Sequence, residues 1–217
     1  MNKLTAMIGI LNAISLALII FVTAITLLLF NVELYRFDNF EHGKARELGF
    51  SNEEYIDSIQ DALLFIRNDT NEFNEEGVFV EEEVLIINDL KRFHSLISIT
   101  RIVSIVVLVG SFAALFYLTE NILKFTMRCY LYVFGCLSIV FVTVLLINHS
   151  FLGIGVNELL SFRYTDKILL LDSETSLLLN MFPSGFFNNV MLIFVVAVAF
   201  MVILSSSYLA FARTRKN

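Results

Sequence analysis

Four apolar runs, at 5–30, 97–119, 129–148 and 187–211, constrain this chain more than anything else in it. Each reaches or exceeds the ~20 residues that an α-helix rising ~1.5 Å per residue needs to cross hydrocarbon. A hydrophobic fraction of 57% and a mean hydropathy of +0.77 do not suit a soluble domain. The first run is longer than the apolar region of a secretion signal and lacks a small-x-small cleavage site, so it reads as an uncleaved helix.

The basic residues set the orientation. Lys3 precedes the first run, Lys124 and Arg128 lie at the link between the second and third, and Arg213, Arg215 and Lys216 end the chain. Those segments hold one acid, Glu120, whereas the other twenty fall in 31–96 and 149–186. Both termini and the link are therefore expected in the cytoplasm, with the two acidic loops outside.

The expected organisation is a first transmembrane helix over 1–30, an extracellular cap loop over 31–96 and a second transmembrane helix over 97–119. A cytoplasmic link, 120–128, leads to the third helix, 129–148. A second extracellular loop, 149–186, the fourth helix, 187–211, and a cytoplasmic tail, 212–217, complete it. The fold class is an all-α integral membrane protein with four transmembrane helices and a small helical extracellular cap. The first loop carries sixteen acids against six Lys or Arg, which repels phosphate and excludes a nucleic acid partner. Both cysteines, Cys129 and Cys136, lie in the third run on one helix face, in the half expected to stay reduced, and core packing is their expected role.

The first loop is patterned. Ser51-Asn52-Glu53-Glu54 is a capping box, in which the Ser hydroxyl and the Glu carboxylate satisfy free N–H groups at a helix start. Ile56, Ile59, Leu63 and Ile66 follow at helical spacing, with Glu53, Asp57 and Asp61 on the wet side, predicting a helix over 52–67. Tyr35, Phe37 and Phe40 mark another short amphipathic stretch. From Phe79 the pattern resumes through Val84, Ile87 and Leu90 without a breaker, predicting one helix over roughly 80–118. The second loop holds Ile168, Leu169, Leu170 and Leu171, then Leu177, Leu178, Leu179, Met181 and Phe182. So much apolar surface must pack under the cap or dip into the outer leaflet.

No nucleotide-binding loop, paired-cysteine site or His-Glu-x-x-His helix is present, so no cofactor and no metal are expected. His94 and His149 fall at the outer membrane boundaries, where an imidazole can take and return a proton near neutral pH. Asp89 is the acid best placed beside them, and Arg101, about one turn inside the second span, either snorkels outward or holds a lipid phosphate or carbonyl.

The stretch Tyr35 to Asn68, the segment Asp89-Leu90-Lys91-Arg92-Phe93, and Leu171-Asp172 through Met181-Phe182-Pro183 and Phe186-Phe187 carry a likeness. Together with the topology, they resemble the lipoprotein intramolecular transacylase (Lit) family of Gram-positive bacteria. The resemblance covers essentially the whole chain. It implies four transmembrane helices under an extracellular cap, and transfer of the sn-2 acyl chain of a diacylglyceryl-cysteine lipoprotein to the α-amino group of the same cysteine.

The family's His-x-x-Asp-Val is here Ile86-Ile87-Asn88-Asp89-Leu90, which keeps the aspartate and not the histidine. Its Phe-His-Glu-Ile-Phe aligns with Val156-Asn157-Glu158-Leu159-Leu160, which places Asn157 at the second histidine. The candidate catalytic residues are Asp89, His94, His149 and Asn157, and the candidate substrate-binding residues are Arg101, Tyr35 and Asp172. Two readings stand. One is an acyltransferase with an altered set of bases acting on a diacylglyceryl lipoprotein or membrane lipid. The other is a pseudoenzyme, a non-catalytic module that binds a lipid or lipoprotein or serves a membrane protein partner as a subunit.

Overall fold

The computed structural model describes residues 3–67, 79–147, 176–181 and 186–214. Those residues form α1 (Lys3–Leu29), α2 (Val32–His42), α3 (Lys44–Glu47), α4 (Asn52–Ile66), α5 (Glu81–Leu118) and α6 (Ile122–Ile147). A short α7 (Leu177–Met181) and a long α8 (Phe186–Thr214) follow. Four of these helices hold stretches long and apolar enough to span a bilayer: Lys3–Leu29, Glu83–Leu118, Ile122–Val140 and Asn189–Arg213. The protein is an all-α integral membrane protein with four membrane-spanning helices. It divides into two compact units, Met1–Ile25 with Ile99–Phe151 and Val190–Asn217, and Thr26–Ser98 with Leu152–Asn189.

In the first, membrane-spanning unit, small side chains let the helices approach closely. Gly9, Ala13, Ala17 and Ala24 are buried along α1. A Cβ on Gly9 would stand 2.5 Å from Cys129 Sγ and 2.7 Å from the Phe125 ring, so α1 and α6 meet at backbone distance there. Ala17, Phe134, Phe194 and Val198 form the core, and Phe21 meets Phe194 edge-on at 5.2 Å.

Among the described residues of the apolar spans, Asn12 and Ser205 are polar and fully buried. Asn12 Nδ2 donates to the Leu108 carbonyl (2.9 Å) and to Ser111 Oγ (2.8 Å), and its Oδ1 accepts from the Tyr130 hydroxyl (2.9 Å). Hydrocarbon supplies no alternative partner, so these bonds tie α1, α5 and α6 together. Cys129 is buried as expected, but Cys136 is exposed. Sharing a helix face with Cys129 does not give Cys136 a neighbouring helix to pack against.

The second unit is built on α2, α3, α4, the first turns of α5, and α7. The capping box forms as the sequence predicts: Glu54 N–H donates to Ser51 Oγ (3.2 Å) and Ser51 N–H donates to Glu54 Oε2 (3.0 Å). These bonds hold the Glu54 carboxyl below its ordinary pKa. Ile56, Ile59, Leu63 and Ile66 all enter the core, together with Tyr35, Tyr55, Ile86, Ile87, Leu177, Leu178 and Met181. Leu177, Leu178 and Met181 of α7 therefore pack inside this unit, whereas Ile168, Leu169, Leu170, Leu171 and Phe182 lie outside the described residues.

The amphipathic reading of α2 needs correction. Tyr35 is buried, whereas Phe37 is exposed and Phe40 is 88% exposed. Offsets of two and five residues turn about 200° and about 140° around a helix axis, so the three rings cannot share one face. Gly43, at φ 68°, ends α2 in the left-handed region that glycine reaches without strain. Beyond that turn Asn39 Oδ1 accepts from Ala45 N–H (2.7 Å), and Lys44 pairs with the buried Asp38 at 2.6 Å.

Candidate functional site

His94 sits on α5 inside the second unit and is 9% exposed. Its imidazole meets the ring of Phe30, in the turn after α1, edge-on with centroids 4.9 Å apart. The same Phe30 ring faces the Arg67 guanidinium, whose central carbon lies 6.0 Å from the ring centroid. Arg67 is the C-cap of α4, so the end of that helix delivers it. One turn before His94, Lys91 lays its Nζ 3.7 Å from the centroid of the buried Phe65 ring. Residues three apart on a helix are surface neighbours with Cβ atoms ~5–6 Å apart. The arrangement is one imidazole and two cations, each beside an aromatic ring.

The other anchor of this unit is Glu83, 2% exposed. Its Oε1 accepts from Ser176 Oγ (2.5 Å) and from Leu178 N–H (2.9 Å), and its Oε2 accepts from Val80 N–H (3.0 Å). One carboxylate thus satisfies free donors at the start of α5 and the start of α7 together. A buried charge needs such compensation, and three donors supply it.

The remaining sequence candidates fall in several places. Asp89 is half-buried and pairs with Arg92 at 3.4 Å. Five residues separate it from His94, about 140° around the helix, so the two lie on different faces and Asp89 does not orient the imidazole. Tyr35 is buried, and its hydroxyl donates to the Leu29 carbonyl at 2.8 Å. Burial and the neighbouring Tyr55 raise its pKa far above the ordinary tyrosine value. Arg101 is half-exposed on α5, in the membrane-spanning unit. His149, Asn157 and Asp172 lie outside the described residues.

Ile86 is fully buried in the core of the second unit beside Ile87. Sequence reading singled out neither Phe30 nor Arg67, and met Lys91 only inside a resembling segment. The spacing Val80-x-x-Glu83, half a capping box, was a legible sign of the Glu83 anchor. Among the described residues no three His, Cys, Asp or Glu side chains converge as metal ligands.

No curated protein matches the chain. Three solved structures share its fold, all of the membrane integral lipoprotein intramolecular transacylase Lit from Bacillus cereus. The first aligns with a TM-score of 0.67 at 15% identity, covering 100% of this chain and 99% of the other. The second, with a histidine replaced by arginine, gives 0.69 at 15% identity over 98% and 93% of the two chains. The third, with a histidine replaced by alanine, gives 0.67 at 16% identity over 98% and 95%. The family model described as lipoprotein intramolecular transacylase Lit matches residues 10–187, and the chain belongs to that family.

Proposed function

We propose that this protein moves the sn-2 acyl chain of a diacylglyceryl-cysteine lipoprotein to the α-amino group of the same cysteine, with His94 carrying the proton. The observation that supports this most is the burial of His94 against Phe30 with Lys91 one turn away. An imidazole with a reference pKa of ~6.5 can relieve an α-amine of reference pKa ~7.7–8.0 once that amine has added to a carbonyl.

The balance closes within one substrate. The neutral amine attacks the ester carbonyl and a C–N bond forms. His94 takes the proton from the new ammonium, the bond from the carbonyl carbon to the sn-2 oxygen breaks, and His94 returns the proton to that oxygen. An ester becomes an amide and a hydroxyl is left on the glycerol. General acid–base help supplies ~10²–10⁴-fold, while holding ester and amine together supplies an effective molarity of ~10⁵–10⁸ M. Positioning therefore carries more of the rate than the identity of the base. His149, Asn157 and Asp172 belong to the second loop of this reading, and Asp89, Tyr35 and Arg101 to its frame. The placement of Lys and Arg supports an orientation with both termini inside and the acidic loops outside.

The test is mass spectrometry of N-terminal lipopeptides from a host that makes diacylglyceryl-cysteine and expresses this chain. An acylated amine on a lyso-glyceryl cysteine is expected, and unchanged diacylglyceryl-cysteine would overturn the reading. One observation favours the non-catalytic alternative, a module that binds a lipid, a lipoprotein or a membrane protein partner. Ile86, which the sequence resemblance sets against the family's histidine, is inert and fully buried. Under that alternative, changing Asp89, His94 and His149 together leaves the cellular phenotype intact.

A further inference from the structure

Lys91 is spent in an unusual way. A long ammonium side chain ordinarily reaches for water, and this loop offers an excess of carboxylates for pairing. Lys91 instead folds its Nζ to 3.7 Å from the centroid of the buried Phe65 ring. Among the described residues it has no carboxylate partner. Its neighbour Arg92 takes Asp89, the acid two positions before Lys91.

That difference has chemical consequences. A carboxylate would cancel the charge and occupy the N–H groups, whereas a ring face holds an ammonium in place and leaves the charge whole. Lys91 also lies on the His94 side of α5: three residues turn the helix by about 300°, which leaves the two about 60° apart. The base and an uncancelled cation are thus fixed one turn apart, each by a separate aromatic ring, Phe30 for His94 and Phe65 for Lys91.

We propose that Lys91 is a catalytic residue of the acyl transfer, its ammonium receiving the carbonyl oxygen of the migrating acyl group as that oxygen becomes an oxyanion. The inference rests on the transacylase reading and adds the residue that meets the charge. As the amine's lone pair forms the C–N bond, the carbonyl π pair moves onto oxygen, where a Lys91 N–H donates to it. When the pair returns to re-form C=O, the bond to the sn-2 oxygen breaks. The amine's proton travels through His94, and Lys91 keeps its own throughout. A donor aimed at charge that develops only in the transition state raises kcat and leaves ground-state binding largely alone.

The test uses the full chain in detergent or proteoliposomes with a diacylglyceryl lipopeptide, following lyso-form product by mass spectrometry. Lys91→Met keeps the unbranched stem over Phe65 and removes the charge. The expected result is a kcat lower by ~10²–10³-fold, with KM changed by less than about threefold. Lys91→Arg recovers at least about tenfold of the loss. Lys91→Gln, compared with Lys91→Met by thermal unfolding, separates lost chemistry from lost fold. Unchanged kcat in a folded Lys91→Met or Lys91→Gln protein overturns the proposal, as does a change confined to KM or an Arg variant no better than Met. If the unsubstituted chain makes no lyso-form, the transacylase reading itself has failed and the Lys91 proposal falls with it.

Discussion

His94 and Phe30 meet edge-on, with 4.9 Å between ring centroids and 75° between ring planes. The contact comes from opposite ends of the sequence segment that builds the second unit, the turn after α1 and the first half of α5. It restricts how the imidazole turns, which is what a proton carrier at a fixed site needs.

Replacing His94 by phenylalanine preserves a ring against Phe30 and removes the proposed proton carrier. Transacylation is expected to fall by ~10²–10⁴-fold. Stability should change by less than ~1.5 kcal/mol, as for other volume-conserving exchanges. Product formation by mass spectrometry and unfolding in detergent, measured on the same preparation, check both halves.

Glu83 accepts from Val80, Ser176 and Leu178 at once. Glu83→Leu leaves those donors without their acceptor, at ~1–3 kcal/mol for each group that stays buried. Glu83→Gln keeps an acceptor and costs less. Hydrogen exchange at the Leu178 amide is the sensitive readout, with faster exchange expected in the leucine variant than in the glutamine one.

In the membrane-spanning unit, Gly9→Ala puts a methyl 2.5 Å from Cys129 Sγ and 2.7 Å from the Phe125 ring. Overpacking of this kind costs ~1–3 kcal/mol. A second change, Cys129→Ala, removes the closest obstacle and should restore part of the loss, a coupling that a double-mutant cycle reads directly. Asn12→Leu is expected to cost ~1–2 kcal/mol, because Ser111, Tyr130 and the Leu108 carbonyl lose a shared partner.

Alkaline pH should loosen the second unit. Burial raises Tyr35 and Tyr55 well above the ordinary tyrosine pKa of 10.0, with each helped by a neighbouring group, Tyr55 for the first and Asp38 for the second. A raised folded pKa means that the unfolded chain loses its phenol protons first. Their contribution is full below pH ~10 and falls away as pH rises beyond it. Unfolding midpoints should be flat with respect to these groups from pH 8 to 10 (~two units) and drop above, and Tyr35→Phe should flatten part of that drop.

Much of this architecture is visible in the residues themselves. The apolar runs, the Ser51 capping box and the period of Ile56, Ile59, Leu63 and Ile66 each state a local rule that the structure obeys. The unbroken pattern after Phe79 gives the single helix Glu81–Leu118. Phe37 and Phe40 mislead because hydrophobicity without helical period defines no buried face. Cys136 misleads because a helix face faces something only where another helix arrives. The cluster around His94 is harder to foresee. Lys91 over Phe65 and Arg67 beside Phe30 depend on how α4 lies against α5, and no spacing within one segment encodes that.

The decisive measurement is tandem mass spectrometry of a lipoprotein's N-terminal peptide from cells expressing either this chain or its His94→Phe variant. The account predicts an amide-linked acyl chain and a single remaining glycerol ester with the first, and an intact diacylglyceryl group on a free amine with the second. An intact diacylglyceryl group in both would contradict it.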